Sequence, residues 1–211
     1  MFNTNSNNEY STTYTKQLNK IRNQKNKNNL SGSELNYNPK KLNNYPYLRY
    51  SNNCYNYILN NYGTSFNQCQ DFCHQEHKEG CPKKTKKCRQ LMKQPGNGIL
   101  NSNDYNCSSL EKIIMEENPS LYKSSYKDIC QNGFYKIASV VDPKKAFHFY
   151  RQNSDGTWSH KPGSFPVTNK DASGKIIKNL HQADRNYSHL PNKLKYTDFC
   201  NYYCIKNNSN K

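Results

Sequence analysis

The chain has 211 residues and a formal net charge of +16, with a pI near 9.4, a balance that favours acidic partners such as nucleic acid, anionic polysaccharide or a membrane surface. Only 33% of its residues are hydrophobic and its mean hydropathy is −1.18, against ~45–50% apolar residues in an ordinary globular domain, so a core cannot be built evenly along it. No window approaches the ~18 apolar residues of a membrane span, and the start, Met1 to Glu9, lacks the apolar stretch of a secretory peptide. The expectation is a soluble protein, or one packaged into a larger particle.

Residues 1–45 are rich in Asn, Lys, Ser and Thr, with too few apolar residues to offset ordering entropy, and read as a disordered basic tail. A single α+β domain is expected over 46–205, with a Cys-rich insert at 66–93 and a loose tail at 206–211. The 18 tyrosines supply the buriable area. Tyr55, Ile58, Leu59 and Tyr62 fall on one helical face, with Ser51, Asn52 or Asn53 as N-cap and Gly63 as the stop. Cys54 then lies in the first turn, where unpaired amides and the helix dipole lower a thiol pKa.

The insert carries Cys69, Cys73, His77, Cys81 and Cys88. Cys69, Cys73 and His77 share a face at helical spacing, and Cys81 completes a four-ligand set that zinc accepts. The spacing matches no common finger, and disulfides are the favoured reading, with zinc the alternative. With nine cysteines, eight can pair and one is left over; Cys54 is the best-placed free thiol. The run from Lys83 to Lys93 is basic without an acid, and offers a surface to an acidic partner. No nucleic-acid-binding fingerprint accompanies it, so nucleic acid is not favoured.

Gln94-Pro95-Gly96-Asn97-Gly98 is a turn. Leu110 to Glu117 reads as a short amphipathic helix capped at Ser108 or Ser109, and Phe134 to Val141 as a buried central strand ended by Asp142-Pro143. Phe147 to Gln152 and Thr157 to Lys161 read as a β-hairpin. A three-residue loop, Ser154-Asp155-Gly156 with Gly156 left-handed, sets His160 opposite Tyr150 and on the same face as His148; an even-numbered loop separates the histidines. Val167 to Arg185 reads as loop, and Tyr196 to Ile205, with Cys200 and Cys204, as a closing helix or strand.

A helix opening on Cys54, followed by strands that carry His148 and then His160, resembles the papain-like thiol hydrolases, especially the NlpC-like cell-wall peptidase branch. Gln94-Pro95-Gly96 is similar to the turn that leads into that family's first strand. The resemblance covers Asn52 to Gly163 and implies a papain-like fold, with a Cys-bearing helix on a small antiparallel sheet. It implies Cys54 as nucleophile, His148 as base and His160 as its orienting partner, acting on a peptide or peptidoglycan-like amide without a cofactor. Tyr150 and Trp158 are the expected cleft aromatics. At the nucleophile the family's Asp-Cys-Ser-Gly is Asn-Cys-Tyr-Asn here. The run His148 to Gly163 also resembles uncharacterised proteins of large DNA viruses and bacteria. Two alternatives stand beside the hydrolase: a disulfide-stapled structural or interaction protein such as a particle component, and a zinc-dependent nucleic-acid-binding module.

Overall fold

In the computed structural model, residues 29–76, 86–98 and 100–208 are described. The organising strand is β2, Phe134–Asp142, the most apolar run of the chain and buried almost throughout. A strand covered on both faces needs apolar residues at consecutive positions, not alternate ones. Around it lie β1 (Tyr122–Ser124), β3 (Ala146–Gln152), β4 (Trp158–Ser159) and β7 (Asp198–Lys206), forming a five-stranded sheet in the order β1-β7-β2-β3-β4. Every pairing in it is antiparallel. A small ladder, β5 (Asn186–Tyr187) with β6 (Leu194–Lys195), stands apart. The closing segment is thus strand from Asp198 on, and it takes a place inside the sheet between β1 and β2.

The two faces of the sheet carry two cores. Tyr135, Ile137 and Val141 join Phe149, Tyr203 and Ile205 on one face, covered by Tyr55 and Ile58 and by Leu110 and Ile114. Ala138 and Val140 join Tyr150, Trp158 and Tyr202 on the other, covered by Ile177, Leu180 and Tyr196 from the irregular segment that follows the hairpin. The architecture is therefore mixed helix and sheet, with helices on one face of the sheet and ordered loop on the other.

The helices are α1 (Pro39–Asn43), α2 (Pro46–Ser51), α3 (Cys54–Ile58), α4 (Gly63–Glu76), α5 (Lys86–Gln90) and α6 (Cys107–Glu117). The Cys54 helix ends sooner than expected. Asn60 adopts a left-handed conformation with φ of 50°, and Gly63, expected as the stop, opens α4 instead. Asn tolerates that region better than other non-glycine residues, so it takes the terminating role. Helix α6 begins earlier than expected because Asn106 is its cap, its side chain accepting from the Ser109 N–H at 2.9 Å. No helix among the described residues is long and apolar enough to cross a membrane.

Of the stretch 1–45 expected to be disordered, residues 29–45 are described and packed onto the domain; 1–28 lie outside the described residues. Leu30 and Leu42 are buried. Ser31 Oγ donates to the Phe134 carbonyl at 2.6 Å, and Leu35 bridges Asn153 beside the hairpin loop. These apolar residues show no period in sequence because each fills a separate recess on a surface the sheet has already made.

Disulfides join Cys69 to Cys88, Cys107 to Cys200 and Cys130 to Cys204. Cys73 is disulfide-bonded too. Among the described residues Cys54 is the free cysteine, and it is buried.

Candidate functional site

The hairpin loop is Ser154-Asp155-Gly156, with Gly156 at φ 84°. The Asn153 N–H donates to the Thr157 carbonyl at 2.8 Å, and above it Gln152 pairs with Trp158 and Arg151 with Ser159. An odd-numbered loop in this register puts His148 and His160 on the same side of the hairpin, one step apart along it. Their rings meet: Nε2 of His148 lies 2.8 Å from Nδ1 of His160. The Nε2 of His160 in turn lies 2.9 Å from the carbonyl oxygen of Lys170.

These distances fix the ring protons. Burial holds His160 down to about pKa 4 and His148 well below the usual imidazole value, so both rings are neutral at pH 7 and each carries one N–H. A carbonyl oxygen only accepts, so the His160 proton is on Nε2. Its Nδ1 is then a bare acceptor, and the hydrogen bond between the rings is donated by His148 Nε2. The lone pair of His148 Nδ1 is left free to accept a proton. Tyr196 stacks on the His148 ring at 5.3 Å and Tyr150 meets its edge at 5.1 Å, which restrains ring rotation.

Cys54 is the first residue of α3, and the Asn-Cys-Tyr-Asn run has a local reason. Asn53 is the N-cap, accepting from the Tyr55 and Asn56 N–H groups at 2.9 and 3.1 Å, while Asn56 Oδ1 accepts from the Asn53 N–H at 3.4 Å in a reciprocal capping box. The same two side chains grip the last residue of the insert. Asn53 Nδ2 donates to the Lys93 carbonyl at 2.9 Å, and Asn56 Oδ1 accepts from the Lys93 N–H at 3.0 Å. Lys93 Nζ lies over the Tyr55 ring.

The helix start was expected to depress the Cys54 pKa; instead burial pushes the thiol up to about 12. The backbone N–H of Phe149, the charge of Lys161, and the N–H groups of Cys54 and Tyr55 act in the opposite direction without overcoming it. No hydrogen bond joins the sulfur to the His148 ring. The two groups are therefore a neutral thiol and a neutral imidazole, not an ion pair.

Both groups line one cleft of about 360 Å³. Strand β4 pairs only with Arg151 and Gln152, and the start of β3, Ala146 to His148, lines the cleft. Gln94 and Lys145 stand on its walls, with residues 162–165 opposite. Lys161, fully buried, fixes that last wall. Its ammonium donates to the carbonyls of Arg49 at 2.7 Å, Gly163 at 2.6 Å and Phe165 at 3.2 Å. Burial lowers its pKa to about 7, and the proximity of Cys54 works against that fall.

The aromatics singled out in the sequence have another role. Tyr150 and Trp158 are both fully buried in the core, and neither lines this cleft. A hairpin aromatic on a covered face packs before it binds. The aromatic walls are Tyr105, Phe147, Phe165 and Tyr196, of which Tyr105 and Phe165 come from segments without a periodic signal. Nothing in sequence points to the Lys170 carbonyl either, since any residue supplies one.

Of the residues weighed as zinc ligands, Cys69 and Cys73 are described, and His77 and Cys81 lie outside the described residues. Cys69 is bonded to Cys88, and the sulfurs of Cys69, Cys73 and Cys88 lie within 4.8 Å of one another. Only reduced thiolates bind zinc, so the paired form is not a ligand set. Of the basic run 83–93, Lys83 and Lys84 lie outside the described residues, and Arg89 is exposed.

No protein-family model matches the chain, and no solved structure matches it. A similar protein is the Insoluble matrix shell protein 1 of Ruditapes philippinarum, 47% identical over 49 residues, which are 23% of this chain and 33% of that protein. The chain thus matches about a third of that relative's length.

Proposed function

We propose that the protein is a papain-like thiol hydrolase that cleaves an amide in a peptide or glycopeptide, with Cys54 as nucleophile, His148 as base and His160 as the residue that orients it. The observation that carries this reading is the one-way hydrogen-bond chain from His148 through His160 to the Lys170 carbonyl, which leaves an unprotonated nitrogen on the ring that shares a cleft with the free thiol. Main-chain orientation of a base through a second imidazole is the triad arrangement with a carbonyl at its end.

The neutral resting pair sets the order of events. Substrate enters and excludes water; His148 Nδ1 then takes the thiol proton as the sulfur attacks the carbonyl carbon. The tetrahedral oxyanion takes a hydrogen bond from the Cys54 N–H, which the capping box at the head of α3 does not use. As the C–N bond breaks, the His148 imidazolium returns its proton to the leaving amine, leaving a thioester on Cys54. Water, deprotonated by the same nitrogen, hydrolyses the thioester and restores the thiol.

The test is turnover of fluorogenic peptide amides by the wild type, Cys54→Ala, His148→Ala and His160→Ala. Expected is loss of turnover in the first two variants and a fall of about 10²–10⁴ in kcat for the third, the range for a positioned acid–base group. A wild type no faster than Cys54→Ala on every amide overturns the reading.

A second reading is favoured by the disulfides and by the matrix shell relative: a stapled structural protein without turnover. It predicts that Cys54→Ala leaves every property of the protein unchanged except thiol titre.

A further inference from the structure

A second cavity, of about 190 Å³, adjoins the cleft beside the histidine pair. Its walls are mostly apolar: Pro162, Phe165, Tyr187, Leu190, Leu194 and Tyr196, with the amide of Asn192 among them, closing against the His148 and His160 rings. Pro162, Phe165, Leu194 and Tyr196 also belong to the cleft that holds Cys54, so the two spaces adjoin. Phe165 is 59% exposed and Leu190 39%, which leaves two large apolar side chains uncovered at the rim. The charged side chain on the cleft walls is Lys145, and no carboxylate lines either space among the described residues.

Size and charge together narrow what fits. An apolar cavity of about 150 Å³ is known to admit benzene, so this one holds a single phenyl ring or branched aliphatic group. A free ammonium would enter a site that offers it no counter-charge and meets it with a lysine; desolvating it there is unfavourable. A carboxylate entering the cavity would be stripped of water and would meet no cationic side chain on its walls to offset that loss.

We propose that this cavity is the specificity pocket of the thiol site, selecting substrates that carry an uncharged aliphatic or aromatic side chain at a residue flanking the scissile amide. This rests on the hydrolase reading above, and the histidines at the end of the cavity tie selection to the bond being cut. An apolar group that fills it also covers the imidazole pair, which excludes water while the proton is transferred.

The experiment is a panel of fluorogenic peptide amides with Ala, Leu, Phe, Glu or Lys at each flanking position, assayed with wild type, Leu194→Lys and Leu194→Glu. Expected at one of the two positions is a kcat/KM for Leu or Phe about 10-fold or more above Ala, with Glu and Lys below it. Leu194→Lys should improve Glu substrates relative to Leu, and Leu194→Glu should improve Lys substrates, gains that misfolding cannot imitate. Wild-type rates that agree within about 2-fold across the panel at both positions overturn the pocket but leave the hydrolase, since differential binding is what specificity measures. If no amide is turned over, NMR titration with N-acetyl-leucinamide decides: saturable shifts that Leu194→Glu abolishes uphold the pocket, and their absence overturns it.

Discussion

The Arg151 guanidinium lies 4.1 Å from the centre of the Tyr57 ring and also donates to that residue's hydroxyl at 2.9 Å. Arg151 is on the strand that carries His148, and Tyr57 is on the helix that carries Cys54. The pair fixes one element against the other, and the network continues, with Tyr57 Oη 2.7 Å from Ser159 Oγ and Ser159 Oγ donating to Asn153 at 2.7 Å. Helix, both hairpin strands and the hairpin loop are thereby held in one registry.

Arg151→Ala should therefore destabilise the fold by roughly 2–4 kcal/mol, combining a desolvated cation–π contact with charge-assisted hydrogen bonds. Arg151→Lys should recover little of this, because an ammonium lacks the planar fork that stacks and donates together. Urea unfolding checks it; midpoints shifted by less than the error in the alanine variant would show that the contact is not stabilising.

Acid should unfold the protein through its histidines. Burial lowers the folded pKa of both His148 and His160, so below the unfolded value of about 6.5 the unfolded chain binds protons that the fold refuses. Stability is then full above pH 6.5 and falls as pH drops toward 4, by roughly 3 kcal/mol from His160 alone. Replacing His160 with Gln should flatten that part of the curve. A wild-type melting temperature constant between pH 7 and pH 4.5 would contradict it.

The Cys54 thiol titrates near 12 in the fold against 9.0 as the ordinary value. Between these values the folded state holds a proton that the unfolded state has released, so Cys54 withdraws stability as pH rises above 9. Iodoacetamide should modify the native thiol at pH 8 roughly a thousandfold more slowly than the urea-unfolded thiol, following the thiolate fraction. Rapid native alkylation at pH 6 would mean that the resting site is an ion pair after all.

Two disulfides converge on β7, one from the head of α6 at Cys107 and one from the loop before β2 at Cys130. They close long segments, with separations of 93 and 74 residues. Serine replacement of either pair should cost about 2–5 kcal/mol. Calorimetry of Cys107→Ser/Cys200→Ser should show a lower melting temperature, whereas Cys54→Ser should leave it nearly unchanged; equal losses would assign Cys54 a structural role.

The hairpin was legible because alternation and loop length together determine which side chains meet. A continuous apolar run likewise identified β2. The N-terminal boundary was not legible, because Leu30, Leu35 and Leu42 are spaced by the recesses they fill and follow neither a helical nor a strand period. The end of the Cys54 helix was misplaced by a glycine signal that Asn60 outranked through its own left-handed conformation. The cleft walls escaped notice because Phe165 and Asn192 lie in irregular segments, and Leu194 lies in a two-residue strand too short to show alternation.

The histidine pair is anchored at its far end by a main-chain oxygen, and this makes the site's tolerance to mutation uneven. No side-chain replacement at position 170 can delete the Lys170 carbonyl. Its position is set instead by the next residue, whose carboxylate gathers the turn. Asp171 accepts from the Ser173, Lys175 and Asp184 N–H groups at 3.0, 2.9 and 3.1 Å. Genetic variation can therefore pass freely through the residue that touches the pair while being punished at a neighbour that does not. If the proposed hydrolase reading holds, a lesion at position 171 would be felt as a base that has lost its bearing, with the thiol and both imidazoles still present.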